Sequence, residues 1–297
     1  MTLTAIVAAA LVVYVLVVAA GCSSSPSGPS SGPSSPGSTA LLLYAGSASQ
    51  PPTEEAIKLF EQRTGITVLA DFGSSGTALS QMELTKKGDL YFPGSSDFME
   101  KAKSNGDVFP GTEARVAYVV PAINVQKGNP KGIRSLADLT RPGIKVAMAD
   151  PESVCVGLYA AEIINKQFTP AQKAAFKANL LNYTASCDKT AAAISLKQVD
   201  AVIGWSVFQS WDPQRIQDVP LTASQISRVG YIPIAISKYT KNRAAAQRFI
   251  DFLIGPEGQA IFAKHGYFAS PKEAFGYIGA KKPVGGQYTL PANWLTP

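Results

Sequence analysis

From residue 41 onward, short apolar runs of strand length alternate with stretches whose apolar residues recur at helical spacing. Leu41-Leu42-Leu43-Tyr44 has the length of a buried strand. Pro51-Pro52-Thr53 then opens a helix, with Thr53 as N-cap and Glu54 and Glu55 in the first turn. Ala56, Ile57 and Phe60 share its inner face, and Gly65 ends it. The pattern predicts a strand over 66–70, a helix over 77–87 closed by Gly88, a strand over 89–92 and a helix over 96–104. This βαβα rhythm implies a parallel sheet covered by helices.

The middle of the chain reads differently. Residues 114–125 form one long β-rich segment, and 231–237 form another. Between them lie predicted strands at 145–149 and 201–204 and helices at 157–166, 170–181 and 188–197, the last N-capped by Asp188. Two amphipathic helices follow at 243–254 and 258–264. The economical arrangement is an α/β protein of two lobes, each a mixed sheet flanked by helices. Lobe one takes 40–115 and 238–297, lobe two takes 125–230, and the segments 116–124 and 231–237 cross between them as hinge strands. A ligand belongs in the cleft, because open α/β sheets bind at the carboxyl ends of their strands.

The N-terminus changes the setting. Residues 5–20 are an unbroken apolar run that leads into Ala19-Ala20-Gly21-Cys22. An apolar stretch ending in small residues is a secretory signal, and small residues before a cysteine resemble a lipobox, which makes Cys22 the lipid anchor. Met1-Thr2-Leu3-Thr4 carries no Lys or Arg, so an uncleaved anchor is the alternative. Either way the remainder lies outside the cytoplasm, held to the membrane. Residues 23–39 are almost entirely Ser, Pro and Gly and read as a tether without a core of its own. The net charge is +6 and scattered, which argues against nucleic acid as a partner.

Four predicted strand-to-helix junctions are rich in small and hydroxylated residues: 45–49, 73–77, 150–157 and 185–190. A helix N-terminus offers unpaired N–H donors and a partial positive charge. Ser and Thr hydroxyls add donors without bulk. Any one junction reads equally as a cap, but two in each lobe could surround one small oxyanion. Cys155 and Cys187 sit on the two second-lobe junctions. Outside the cytoplasm this even pair is expected to form a disulfide, with two separate buried thiols as the alternative. The bond would close a loop of about 33 residues and stabilise by roughly 3–4 kcal/mol.

The motifs Tyr44-Ala45-Gly46-Ser47-Ala48, Phe72-Gly73-Ser74-Ser75-Gly76-Thr77, Asp89-Leu90-Tyr91-Phe92, Ala149-Asp150-Pro151-Glu152 and Phe252-Leu253-Ile254-Gly255-Pro256-Glu257-Gly258-Gln259 carry a resemblance. In order and spacing they resemble the periplasmic molybdate/tungstate-binding proteins of ABC importers, across 41–268. The resemblance implies the type II periplasmic-binding-protein fold and a monomer that delivers a tetrahedral oxyanion to permease subunits. It implies a serine donor from each of the first two motifs, mapping onto Ser47 and Ser75 with Ser74 beside them. It also implies backbone amides near Val156 and Lys189, no cofactor and no direct metal ligand. The Lys189 side chain reads either as a cation opposing the anion or as a solvated lysine. Many relatives present a tyrosine from the second lobe where this chain has Gly204, which leaves Tyr159 or Ser206 as substitutes.

Other chemistries fit less well. His265 is the only histidine and lies at a helix C-terminus. No Gly-x-Ser-x-Gly elbow, metal-ligand cluster or P-loop occurs, and Asp150 and Glu152 have no nucleophilic or basic partner. The chain therefore reads as a receptor with no catalytic residue. The rival readings are a receptor for sulfate or phosphate and, further off, an exported hydrolase.

Overall fold

The computed structural model describes residues 40–295; the signal segment, Cys22 and the tether lie outside the described residues. In chain order the elements are β1 (Ala40–Gly46), α1 (Gln50–Thr64), β2 (Thr67–Gly73), α2 (Ser75–Thr85), β3 (Leu90–Phe92), α3 (Ser96–Ser104), β4 (Ala114–Val119), β5 (Pro121–Gln126) and β6 (Val146–Ala149). They continue with α4 (Cys155–Gln167), α5 (Pro170–Asn179), β7 (Leu180–Thr184), α6 (Cys187–Ser195), β8 (Ala201–Trp205) and α7 (Phe208–Trp211). The chain then forms β9 (Ile216–Pro220), β10 (Gly230–Ile236), α8 (Arg243–Ile254), α9 (Pro256–Lys264) and α10 (Pro271–Ile278).

The strands form two five-stranded mixed sheets, ordered β2-β1-β3-β10-β4 and β7-β6-β8-β5-β9. In the first sheet β1 runs parallel to β2 and β3, while β10 is antiparallel to β3 and β4. In the second, β6 is parallel to β7 and β8, and β5 is antiparallel to β8 and β9. Helices flank both, which gives the two-lobed type II architecture.

The long β segment at 114–125 is two strands in different sheets. The chain changes sheet at Val120, whose carbonyl accepts the Ser206 N–H at 2.9 Å, and Pro121 follows without an N–H to donate. It returns through 221–229, between β9 and β10. The C-terminal stretch departs from the division expected from sequence. Ala274, Ile278, Trp294 and Leu295 pack with Val120, Ile123, Leu136 and Phe176 of the second lobe. Their apolar faces find cover there, so α10 and the chain at 294–295 pack on lobe two.

Side-chain caps start three of the helices. Ser74 caps α2, Thr169 forms a capping box with Gln172 at α5, and Ser270 caps α10. The expectation for α1 is corrected. Thr53 lies inside the helix and donates to the Ser49 carbonyl at 2.6 Å, because Pro at the first positions starts the helix at Gln50.

Candidate ligand-binding site

Five strand-to-helix junctions meet between the sheets: those after β1, β2, β3, β6 and β7. The Gly76 N–H donates to the Ser153 carbonyl at 2.8 Å, joining the α2 start in one lobe to the loop before α4 in the other. The Asp188 N–H at the α6 start donates to Ser47 Oγ at 3.3 Å. A single apolar cluster runs from Leu41, Leu43 and Phe60 through Val156, Cys187 and Trp205, so the cleft is closed.

The junction after β3, Pro93-Gly94-Ser95, is the one the sequence reading missed. Its signal was present, since it has the same small and hydroxylated composition as the other four. A Cβ at Gly94 would stand 2.5 Å from both Ala48 Cβ and Cys155 Sγ. Only glycine allows this wedge between the lobes.

Ser47 and Ser75 are both buried. Ser47 Oγ accepts from Asp188, and Ser75 Oγ accepts the Gly94 N–H at 3.0 Å. Neither hydroxyl donates to another group among the described residues, so each holds a proton to give. The first amides of α4 and α6 add donors, as helix N-termini do. Carboxylates stand at these junctions as well: Asp188 accepts from Ser186 Oγ and lies 3.7 Å from Lys189 Nζ, and Asp150 accepts from Ser153 Oγ at 2.6 Å.

Other sequence-derived residues stand differently. Ser74 accepts the Thr77 N–H at 3.0 Å and donates to Thr77 Oγ1 at 2.7 Å, so its hydroxyl is spent on the cap. The Lys189 side chain is 69% exposed, which is the solvated alternative; only its backbone is at the junction. Cys155 and Cys187 are free buried thiols with Sγ atoms 3.5 Å apart. That corrects the expected disulfide: a bond needs about 2.05 Å. Burial, then the Cys155 thiol beside it, pushes Cys187 well above the ordinary thiol range.

The missing tyrosine has a steric explanation. A Cβ at Gly204 would fall 2.1 Å from Asn124 Oδ1 and 2.6 Å from the Phe208 ring. Tyr159 is buried against Trp205, with ring centroids 4.8 Å apart and edge-on. The Tyr159 hydroxyl, Trp205 Nε1, Ser206 Oγ and Ser95 Oγ are buried without a hydrogen-bond partner among the described residues. Buried orphans of this kind ordinarily mark a water or ligand contact. Burial pushes the Tyr159 phenol well up, so it is a neutral donor.

Two mixed sheets flanked by helices, with their helix-start junctions facing one another, are the architecture of a two-lobed solute-binding protein. The chain belongs to the bacterial extracellular solute-binding proteins, whose family profile spans residues 41–268. It is 26% identical over 262 residues to YvgL of Bacillus subtilis, which carries the name of an ABC transporter substrate-binding lipoprotein. That match covers 88% of this chain and 96% of YvgL. It is 23% identical over 235 residues to the molybdate-binding protein ModA of Escherichia coli, covering 76% of this chain and 88% of ModA. Among solved structures, the sulfate-binding protein SubI of Mycobacterium tuberculosis superposes with a TM-score of 0.69 at 19% identity. That superposition covers 82% of this chain and 96% of SubI, and shows the shared fold.

Proposed function

We propose that this chain captures a tetrahedral oxyanion, molybdate or tungstate, between its lobes and delivers it to an ABC permease without chemical turnover. The observation that carries the reading is the pair of buried serine hydroxyls. Ser47 and Ser75 come from two junctions of one lobe, both accept backbone N–H groups, and both keep a proton to donate. A dianion is the natural acceptor for donors that are all neutral, because a hydrogen bond to a charged group contributes roughly 1.5–3 kcal/mol. The α4 and α6 amides and the orphaned Tyr159 and Ser206 hydroxyls complete the candidate donor set. The resemblance to ModA favours molybdate and tungstate, which are larger than sulfate.

YvgL's name supports the placement beside an ABC permease and the lipid anchor at Cys22. In this reading the protein acts as a tethered monomer with no cofactor, and hinge closure on the anion creates the form the permease accepts.

A thermal-shift series tests the reading. Molybdate and tungstate are expected to raise the melting temperature at micromolar concentrations, by linkage to the folded state. A shift with sulfate or phosphate alone would transfer the assignment to that anion. No shift with any of the four would refute the proposal.

A further inference from the structure

Arg228 lies in the return connection between β9 of lobe two and β10. Its neighbours Ile226 and Val229 pack in the second-lobe core. Its Nε donates to Glu162 Oε2 on α4 at 2.8 Å. Nη1 and Nη2 grip Asp97 at the start of α3, in the other lobe, at 2.9 and 3.0 Å. The side chains of Arg228, Asp97 and Glu162 are only 7%, 5% and 6% exposed. The guanidinium also lies over the Tyr159 ring, 3.9 Å from its centroid.

The C-terminal segment closes the arrangement. The Gly286 carbonyl accepts from Ser96 Oγ at 2.7 Å and from Arg228 Nη1 at 3.0 Å. The Tyr288 N–H donates to Asp97 Oδ1 at 2.9 Å, and the Tyr288 hydroxyl accepts from Asn165 on α4 at 3.1 Å. The segment therefore touches α3 in one lobe and α4 in the other.

We propose that Arg228 and Asp97 form a closure latch, with Glu162 and the 284–288 segment as its positioning groups. A two-pronged guanidinium–carboxylate pair requires one fixed geometry. It spans the lobes, so it is complete only when they are shut. Opening strips a buried carboxylate of a charged partner, which is unfavourable. The latch thereby sets how much of the ligand-free protein is closed, and a ligand that needs the closed form binds in proportion to that fraction. The inference rests on lobe closure alone and not on which solute fills the cleft.

Hydrogen–deuterium exchange on the ligand-free full chain reads the latch directly. The reporters are the cleft-spanning amides of Gly76 and Asp188; the controls are the sheet amides of Val202 and Ile234. Asp97→Asn should speed exchange at Gly76 and Asp188 about tenfold or more and leave the controls unchanged. Glu162→Gln, which releases the aim of Arg228 without touching lobe one, should move the same two amides in the same direction, and serves if Asp97→Asn does not fold. Unchanged reporters in a folded variant would overturn the latch. Equal acceleration of reporters and controls would also overturn it, since that is loss of general stability. A failure to bind oxyanions bears only on the proposed function, because no ligand enters this experiment.

Discussion

Ser47 and Ser75 are small, buried and hydrogen-bonded only as acceptors. Removing either hydroxyl deletes a donor to the anion while leaving a cavity of one atom. Ser47→Ala and Ser75→Ala are each expected to weaken tungstate binding about tenfold or more, following the worth of a hydrogen bond to a charge. The urea midpoint should move little, and unchanged affinity would remove these residues from the site. The junctions that hold them were legible in the sequence as small, hydroxylated stretches before helices, while the choice of Ser47 and Ser75 within those junctions came from the family resemblance. The orphaned state of Tyr159, Trp205, Ser206 and Ser95 was not legible, since the lack of a partner depends on every neighbour in the fold. The same holds for Ser74: its sequence context matches that of Ser75, yet it spends its hydroxyl on Thr77. A further residue carries a pH signal. Burial pushes the Asp218 carboxyl from 3.8 up to about 7, partly offset by the Asn124 amide that donates to it at 2.6 Å. Its folded value lies above its unfolded one. Its contribution to stability is therefore full below about pH 4 and is lost as pH rises through about 7. Asp218→Asn should raise stability at pH 8 by about 1–3 kcal/mol and change little at pH 4, as read by urea melts at both pH values.

At the scale of elements, helices with clear ends read well from sequence. The expected spans of α3 and α8 coincide with the structure, and α1 and β8 differ by only a few residues. Besides α7, a single turn of four residues, three elements escaped, each for a physical reason. β7 follows α5 without a glycine or proline break, so Leu180 and Leu181 read as the helix's own last turn. β9 is a short edge strand with only one buried residue, Ile216, and no alternation to detect. α10 begins with Ser270, Pro271 and Glu273, a capping sequence that was present but is followed by just two buried apolar positions. Gly204, inside β8, shows how packing decides an element's chemistry. Gly204→Ala should cost about 1–3 kcal/mol by overpacking against Asn124 and Phe208, visible as a lowered urea midpoint. A neutral outcome would mean the strand can shift there. The thiols at the starts of α4 and α6 make a separate prediction. A thiol reagent should find Cys155 and Cys187 unreactive in the native protein and reactive in denaturant without reductant. Silence in denaturant would mean that they are bonded.

Over the whole molecule, two sheets joined by crossing segments put five helix-start junctions opposite one another. The alternation of strands and helices was enough to anticipate two lobes and a cleft. It could not show that α10 and residues 294–295 pack on lobe two, because that choice depends on which apolar face is left uncovered. In the proposed reading the closed cleft, the free serine protons and the cross-lobe Arg228–Asp97 pair act as one device, with neutral donors for the solute and a pair that holds the lobes shut. The most direct test is isothermal calorimetry of the full chain with molybdate, tungstate, sulfate and phosphate. Saturable one-to-one binding of molybdate and tungstate, with much weaker sulfate and phosphate, is the predicted result. Absence of heat with all four, or saturation by phosphate alone, would contradict it.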